Sequence, residues 1–164
     1  EVKGFDRLAS VHKRLLDENI KNKVYILGVG SDQAVIEKYL AENNLSDSFI
    51  FLGYNTNPYK YVRACDLYVC SSRSEGFSTA VTEALIVGTP VVTTLCSGMT
   101  EMLGENNEYG IVTENNEDAL FEGVKEMLTA EGKLEYYAKR AEERGKYFST
   151  DKTTRAVEDM LNSL

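Results

Sequence analysis

The stretch SSRSEGFSTAVTEALIVGTPVVTT, residues 71–94, decides the fold. It reads as a strand end, a turn, a helix, a stop and a second strand. Ser71 and Ser72 close the apolar run DLYVCSS, and Glu75-Gly76-Phe77-Ser78 forms the turn. Thr79 to about Val87 is an apolar helix ended by Gly88, and TPVVTT follows as a strand. Strand, helix and strand in that order make a β-α-β unit, which requires parallel pairing. Two glutamates, Glu75 and Glu83, bracket the start of the helix, and their reason for being there is a question of chemistry.

The same alternation extends both ways. GFDRLASVHKRLLDEN is helical, with Phe5, Leu8, Val11 and Leu15 on one face; KVYILGVG is a strand ending in glycines. SDQAVIEKYLAENN, SFIFLGY and NPYKYVRAC read as helix, strand and short helix, the last with a proline just inside it after the cap-type Asn57. After TPVVTT come a short helix from Met99 to Leu103 and the strand YGIVT. The remainder is helical: NNEDALFEGVKEMLTA, GKLEYYAKRAEERGKYF and TDKTTRAVEDMLNSL. Five strands alternating with helices predict an α/β, Rossmann-like, doubly wound parallel sheet in a three-layer α/β/α sandwich. Ligands of such sheets sit beyond the carboxyl ends of the strands. Functional residues are therefore expected in the turns at residues 28–31, 53–57, 71–78, 94–99 and 113–116.

Composition narrows the classes. The 164 residues are 43% hydrophobic and 27% charged, the signature of one globular domain. A net charge of −8 argues against a nucleic-acid surface, which needs clustered Lys and Arg, and against anionic lipid. The cysteines, Cys65, Cys70 and Cys96, have neither disulfide nor zinc spacing, and Cys70 and Cys96 read as small buried hydrophobes in a reducing setting. His12, the single histidine, reads as a surface or boundary residue, and Glu142, Glu143, Arg144 and Lys146 as a solvated helix face. No D-x-D pair and no His/Cys cluster suggests a metal. The opening EVKGFDRL, without an initiator Met, reads as the middle of a longer chain.

The turn before the central helix offers backbone N–H groups with no intrahelical partner, and the helix dipole favours an anion there, phosphate above all. Gly76 permits close approach, and Ser78 or Thr79 can cap the helix or add a hydroxyl donor. Carboxylates avoid phosphate but accept strongly from neutral hydroxyls. A ligand with a diphosphate centre and hydroxyl-rich groups on both sides, such as a nucleotide sugar, uses both features.

Ser72-x-x-Glu75-Gly76-Phe77, then Glu83-Ala84, then Gly88-Thr89-Pro90-Val91-Val92, resembles the E-x7-E signature of family 4 (group 1) retaining glycosyltransferases of the GT-B fold. The likeness covers nearly the whole chain. Lys3-Gly4-Phe5-Asp6, Gly28-Val29-Gly30, Phe51-Leu52-Gly53, Tyr61-Val62-x-Ala64-x-Asp66-Leu67, Ser97-Gly98-x-x-Glu101 and Tyr109-Gly110-Ile111-Val112 resemble further segments of that family in the same order. Each is weak alone; the ordered set is specific.

The resemblance implies the following. Residues 1–164 correspond to the C-terminal, donor-binding half of a GT-B enzyme, whose N-terminal acceptor domain is absent here. Glu83 accepts the ribose hydroxyls and Glu75 faces the donor sugar. The N–H groups of Gly76, Phe77, Ser78 and Thr79 cradle sugar and diphosphate, and Gly30 lies in the glycine turn. Lys3 neutralises the leaving diphosphate, and the base lies near Gly53 and Tyr54. The donor, UDP- or GDP-linked, is a substrate; no cofactor or metal is expected. The acceptor is a sugar or lipid-linked sugar in polysaccharide biosynthesis, handled in the cytoplasm or at the inner membrane face. The family usually adds an arginine upstream of the lysine, which falls before Glu1; Arg7 and Arg73 are candidate anion partners, but neither matches the motif position. The chain alone is therefore not expected to transfer sugar. Other readings are a nucleotide-sugar epimerase, a non-catalytic nucleotide-binding module on the same fold, and a glycoside hydrolase using paired acids.

Overall fold

The computed structural model of the chain describes residues 2–148; the helix expected over residues 151–164 lies outside them. In chain order the elements are α1 (Phe5–Asp17), β1 (Val24–Leu27), α2 (Gln33–Glu42), β2 (Phe49–Gly53), α3 (Tyr59–Ala64), β3 (Tyr68–Cys70) and α4 (Thr79–Ile86). Then follow β4 (Val91–Thr94), α5 (Met99–Leu103), β5 (Ile111–Thr113), α6 (Glu117–Thr129), α7 (Lys133–Gly145) and a 3-10 turn, Lys146–Phe148. Every strand and helix expected within these residues is present, and every strand pair is parallel.

Strand β4 lies between β3 and β5, in register Tyr68↔Val91 and Val92↔Ile111. All four of its residues are buried. Successive strand residues point to opposite faces, so Val91 and Val92 feed two different cores. Val92 packs with Val11 and Leu15 of α1 and Leu120, Val124 and Met127 of α6. Val91 packs with Val81 and Leu85 of α4 and Met99, Met102 and Leu103 of α5. Helices therefore cover both faces. Each fully buried valine contributes about 1.5–3 kcal/mol of apolar burial.

The expected single sheet is divided. Strand β1 pairs with β2 and β3 with β4 and β5, and among the described residues no ladder joins β1 to β3. Strand β3 is only three residues long, and the backbone beyond it is engaged elsewhere: Arg73 N–H donates to Val2 O, and Ser71 Oγ to Lys3 O. Side chains bridge the gap, because Val69 packs against both the β1–β2 core and the β4–β5 core.

His12 corrects the sequence reading. It is fully buried on α1, with Nδ1 2.6 Å from Asn22 Oδ1 and Nε2 2.8 Å from Ser48 Oγ. Asn22 Nδ2 donates to Ile20 O, which leaves Oδ1 to accept from His12 Nδ1–H. The ring thus joins α1 to the segments that lead into β1 and β2. Arg144 departs from the solvated reading too, since it donates to the carbonyls of Met102 and Glu101. Cys70 is buried, whereas Cys96 is half-buried and donates to Ser72 O.

Burial pushes the His12 pKa below 6.5, and the hydrogen bond to Asn22 offsets only part of that. The unfolded chain takes up the proton near pH 6.5 while the folded chain resists it, so stability falls as pH drops from about 6.5 through the folded value. Urea unfolding across pH 5–8 should show this slope in the wild type and lose it in His12→Gln.

Candidate functional site

The site is built at the carboxyl edge of β3, β4 and β5, where the turns beyond the strands meet the start of α1. Its first element is Gly4. It adopts φ +66° at the entry to α1, and a Cβ there would stand 2.1 Å from Ser71 O. Only glycine allows this approach. The contact places Lys3 over the turn beyond β3, and Lys3 Nζ donates to Glu75 Oε1 at 2.6 Å. Ser72 Oγ donates to the same oxygen at 2.7 Å. The lysine side chain is 58% exposed and the glutamate 13%, so the carboxylate is fixed and the ammonium reaches toward solvent. Burial pushes the Glu75 carboxyl up, but the hydrogen bonds from Lys3 and Ser72 outweigh it and hold the pKa below the ordinary value.

A second layer steadies this turn. Arg73 grips Asp6 through both terminal nitrogens, at 2.8 and 2.7 Å, and holds the Asp6 carboxyl below its usual range. Asn115, just beyond β5, donates from Nδ2 to Arg73 O and Leu95 O, and its Oδ1 accepts from Arg7 Nη1. One carboxamide thus ties the turns after β3, β4 and β5 to α1. Arg7 and Arg73, considered above as anion partners, are each engaged in this frame.

Helix α4 starts at Thr79. Ser78 is the cap, its Oγ accepting from Val81 N–H. Among the described residues the backbone N–H groups of residues 76–80 donate to no partner. Gly76, Phe77 and Thr79 are exposed and Ser78 is buried, and the turn stands at the positive end of the helix. Glu83 is half-buried on the same helix, and Tyr59 of α3 places its hydroxyl 3.4 Å from Glu83 Oε1.

Gly30 belongs with Lys3. Both line a cleft of about 150 Å³ between the start of α1 and the turn after β1, with Gly28, Asp32 and Phe51 among the other walls. Gly53 supports the cleft's rim, since Gly28 N–H donates to Gly53 O at 2.8 Å, and Tyr54 beside it is 78% exposed. The structure therefore pairs Lys3 with Glu75, puts Lys3 and Gly30 on the walls of one cleft, and sets Glu83 of α4 against Tyr59 of α3. The sequence reading missed Asn115 and Tyr59. Asn115 stands in the expected turn after β5, and Tyr59 follows the Asn57-Pro58 helix entry; position was the signal in both cases.

A family model described as glycosyl transferases group 1 matches residues 1–144. Over 135 residues the chain is 35% identical to the Campylobacter jejuni N-acetylgalactosamine-N,N'-diacetylbacillosaminyl-diphospho-undecaprenol 4-alpha-N-acetylgalactosaminyltransferase, covering 81% of this chain and 37% of that protein. It is 33% identical over 81 residues to the Rhizobium meliloti lipopolysaccharide core biosynthesis mannosyltransferase LpsB, covering 49% of this chain and 23% of that one. Among solved structures, a variant of S. aureus TarM in complex with fondaparinux, alpha-GlcNAc-glycerol and UDP superposes with a TM-score of 0.85 at 25% identity, covering 99% of this chain and 33% of that one. Anabaena HepE in complex with UDP gives 0.85 at 20% identity, covering 99% and 46%. The chain thus spans less than half the length of each of these proteins.

Removing the ammonium tests the Lys3–Glu75 pair. In Lys3→Met the Glu75 carboxyl pKa should rise, read by carbon-detected NMR titration of the labelled side chain.

Proposed function

This chain belongs to the group 1 glycosyl transferases, and from that premise we propose that it holds the nucleotide-sugar donor of a retaining, hexosyltransferase-type enzyme. One observation carries the reading: the unengaged N–H groups of the first turn of α4 stand beside the Lys3–Glu75 pair, with Glu83 further along the same helix.

In this reading the diphosphate seats on the N–H groups of Gly76, Phe77, Ser78 and Thr79. Lys3 meets the negative charge that grows on the leaving diphosphate as the glycosidic bond breaks. In the free chain that ammonium is held by Glu75. Once the diphosphate takes Lys3, Glu75 is released to accept from hydroxyls of the donor sugar. Glu83 accepts from the ribose hydroxyls while Tyr59 steadies it. Gly30 keeps the floor beside Lys3 free of side chain, and the base lies near Gly53 and Tyr54. Lys3 and the helix dipole supply the positive charge, and the reading assigns no metal.

The UDP present in the TarM and HepE complexes supports UDP as the nucleotide. The Campylobacter relative and the Staphylococcus aureus poly(ribitol-phosphate) alpha-N-acetylglucosaminyltransferase are named for α-linkages, the outcome of retention when the donor sugar is itself α-linked. The Campylobacter name also specifies a diphospho-undecaprenol acceptor, which supports a sugar or lipid-linked acceptor. Among the described residues no helix is long and apolar enough to cross a membrane. We assign the acceptor site to a second, N-terminal domain, and transfer to the two domains together.

Calorimetric titration with UDP, GDP and ADP tests the assignment. Saturable UDP binding is expected, weakened about tenfold or more in Glu83→Gln by loss of charged acceptors for the ribose. Unchanged UDP affinity in Glu83→Gln, or binding of none of the three nucleotides, overturns it.

A further inference from the structure

The one large side chain in the turn that carries the α4 donors is Phe77. Its ring is 53% exposed, yet two contacts seat it. It meets Phe148 edge-on, with centroids 6.4 Å apart and planes at 69°. It also lies on Gly98, where a Cβ would come within 3.4 Å of the Phe77 ring. Gly98 opens α5, and Phe148 closes the 3-10 turn after α7. Two distant parts of the chain therefore hold one loop side chain from two sides.

Phe148 is itself held. Tyr147 meets it edge-on at 5.5 Å, and the Arg144 guanidinium lies 5.0 Å from its ring. Arg144 is fixed in turn: Nε donates to Met102 O at 2.9 Å and Nη2 to Glu101 O at 2.6 Å, carbonyls near the end of α5. The same guanidinium faces Tyr109 and Tyr147 at 5.0 and 4.7 Å. Helix α5 thus carries Phe77 at its first end and, through Arg144, Phe148 at its last. Helix α7 packs tightly on α4. At Gly145 a Cβ would stand 2.3 Å from Leu85 O, so the backbones of α7 and α4 are in direct contact. The circuit runs from α4 through its own entry turn to Phe77, Phe148, Arg144, α7 and back to α4.

We propose that Phe148, seated by Arg144, is a positioning residue for the entry turn of α4. By holding the Phe77 ring it fixes the direction in which the N–H groups of Phe77, Ser78 and Thr79 point, and so the strength with which they bind a diphosphate. The ligand part of this proposal rests on the donor-site reading above; the mechanical part does not. An aromatic ring has two torsions, so anchoring it fixes a backbone at small entropic cost. Hydrogen bonds weaken steeply when donors swing off line, so a loosened turn binds phosphate less well.

The test compares the wild-type chain with Phe148→Leu, Phe148→Tyr, Phe77→Leu and the double variant Phe77→Leu/Phe148→Leu. Backbone ¹⁵N order parameters at residues 76–79 and the Kd for UDP are measured on each, with thermal unfolding to verify folding. In Phe148→Leu the order parameters should fall from about 0.85 to below about 0.7. UDP should weaken about three- to tenfold, the size of one aromatic pair. Phe148→Tyr should restore both, and the double variant should be no worse than either single one. Should Phe148→Leu fail to fold, Phe77→Leu removes the same contact from its exposed side and must loosen residues 76–79 alike. Order parameters at 76–79 that stay at the wild-type level in a folded variant overturn the proposal, as does a Phe148→Tyr chain that behaves like Phe148→Leu. A turn that loosens as expected in a chain that never bound UDP upholds the positioning and overturns the donor-site reading instead.

Discussion

Everything in this molecule depends on β4 having no side that faces water. Val91, Val92, Thr93 and Thr94 are all buried, and alternate residues serve opposite cores. A strand covered on both faces needs helices on both, which parallel β-α-β crossovers supply. The carboxyl ends of β3, β4 and β5 then emerge together, and the turns beyond them must share one small area. Two of these strand-end residues are threonines, Thr94 buried and Thr113 half-buried: Thr94 Oγ1 donates to Ser72 O, and Thr113 Oγ1 to Thr93 O. Hydroxyls satisfy the backbone where the ladder stops, and an apolar side chain there would leave those carbonyls without these donors.

The site follows from that crowding. Asn115 ties three turns to α1, Gly4 lets α1 begin against Ser71 O, and the result delivers Lys3 to Glu75. The ion pair is a consequence of the packing rather than its cause. With Lys3 mostly exposed, it contributes little to stability. What it sets in place is a cation beside the entry turn of α4, whose N–H groups donate to no partner among the described residues.

Much of this was legible in the sequence, for definite reasons. The apolar run Val91–Thr94 between Pro90 and Leu95 read as a strand, and the turn at 75–78 declared itself through Gly76 and two cap-type residues, Ser78 and Thr79, of which the structure uses Ser78. Lys3 was legible through the likeness of Lys3-Gly4-Phe5-Asp6 to a known segment, not through its own chemistry. His12 was not, although it lies four residues after Leu8 and on the same face. Its burial is acceptable only because Asn22 and Ser48 supply polar partners, and neither is local to α1. Arg144 was hidden for the same reason: on α7 it is one charge among several, and its partners Glu101 and Met102 lie far back in the chain. The division of the sheet was equally out of reach, because no pattern within β1 or β3 announces that the two strands share no ladder.

The contact at Gly4 has a genetic side. The obstacle there is the first carbon of any side chain, so the size, charge and polarity of a replacement are secondary. Every missense codon meets the same carbonyl oxygen. Among natural or random variants this position should behave as a two-valued trait, glycine or defective, whereas its neighbour Lys3 should grade smoothly with the charge and length of what replaces it.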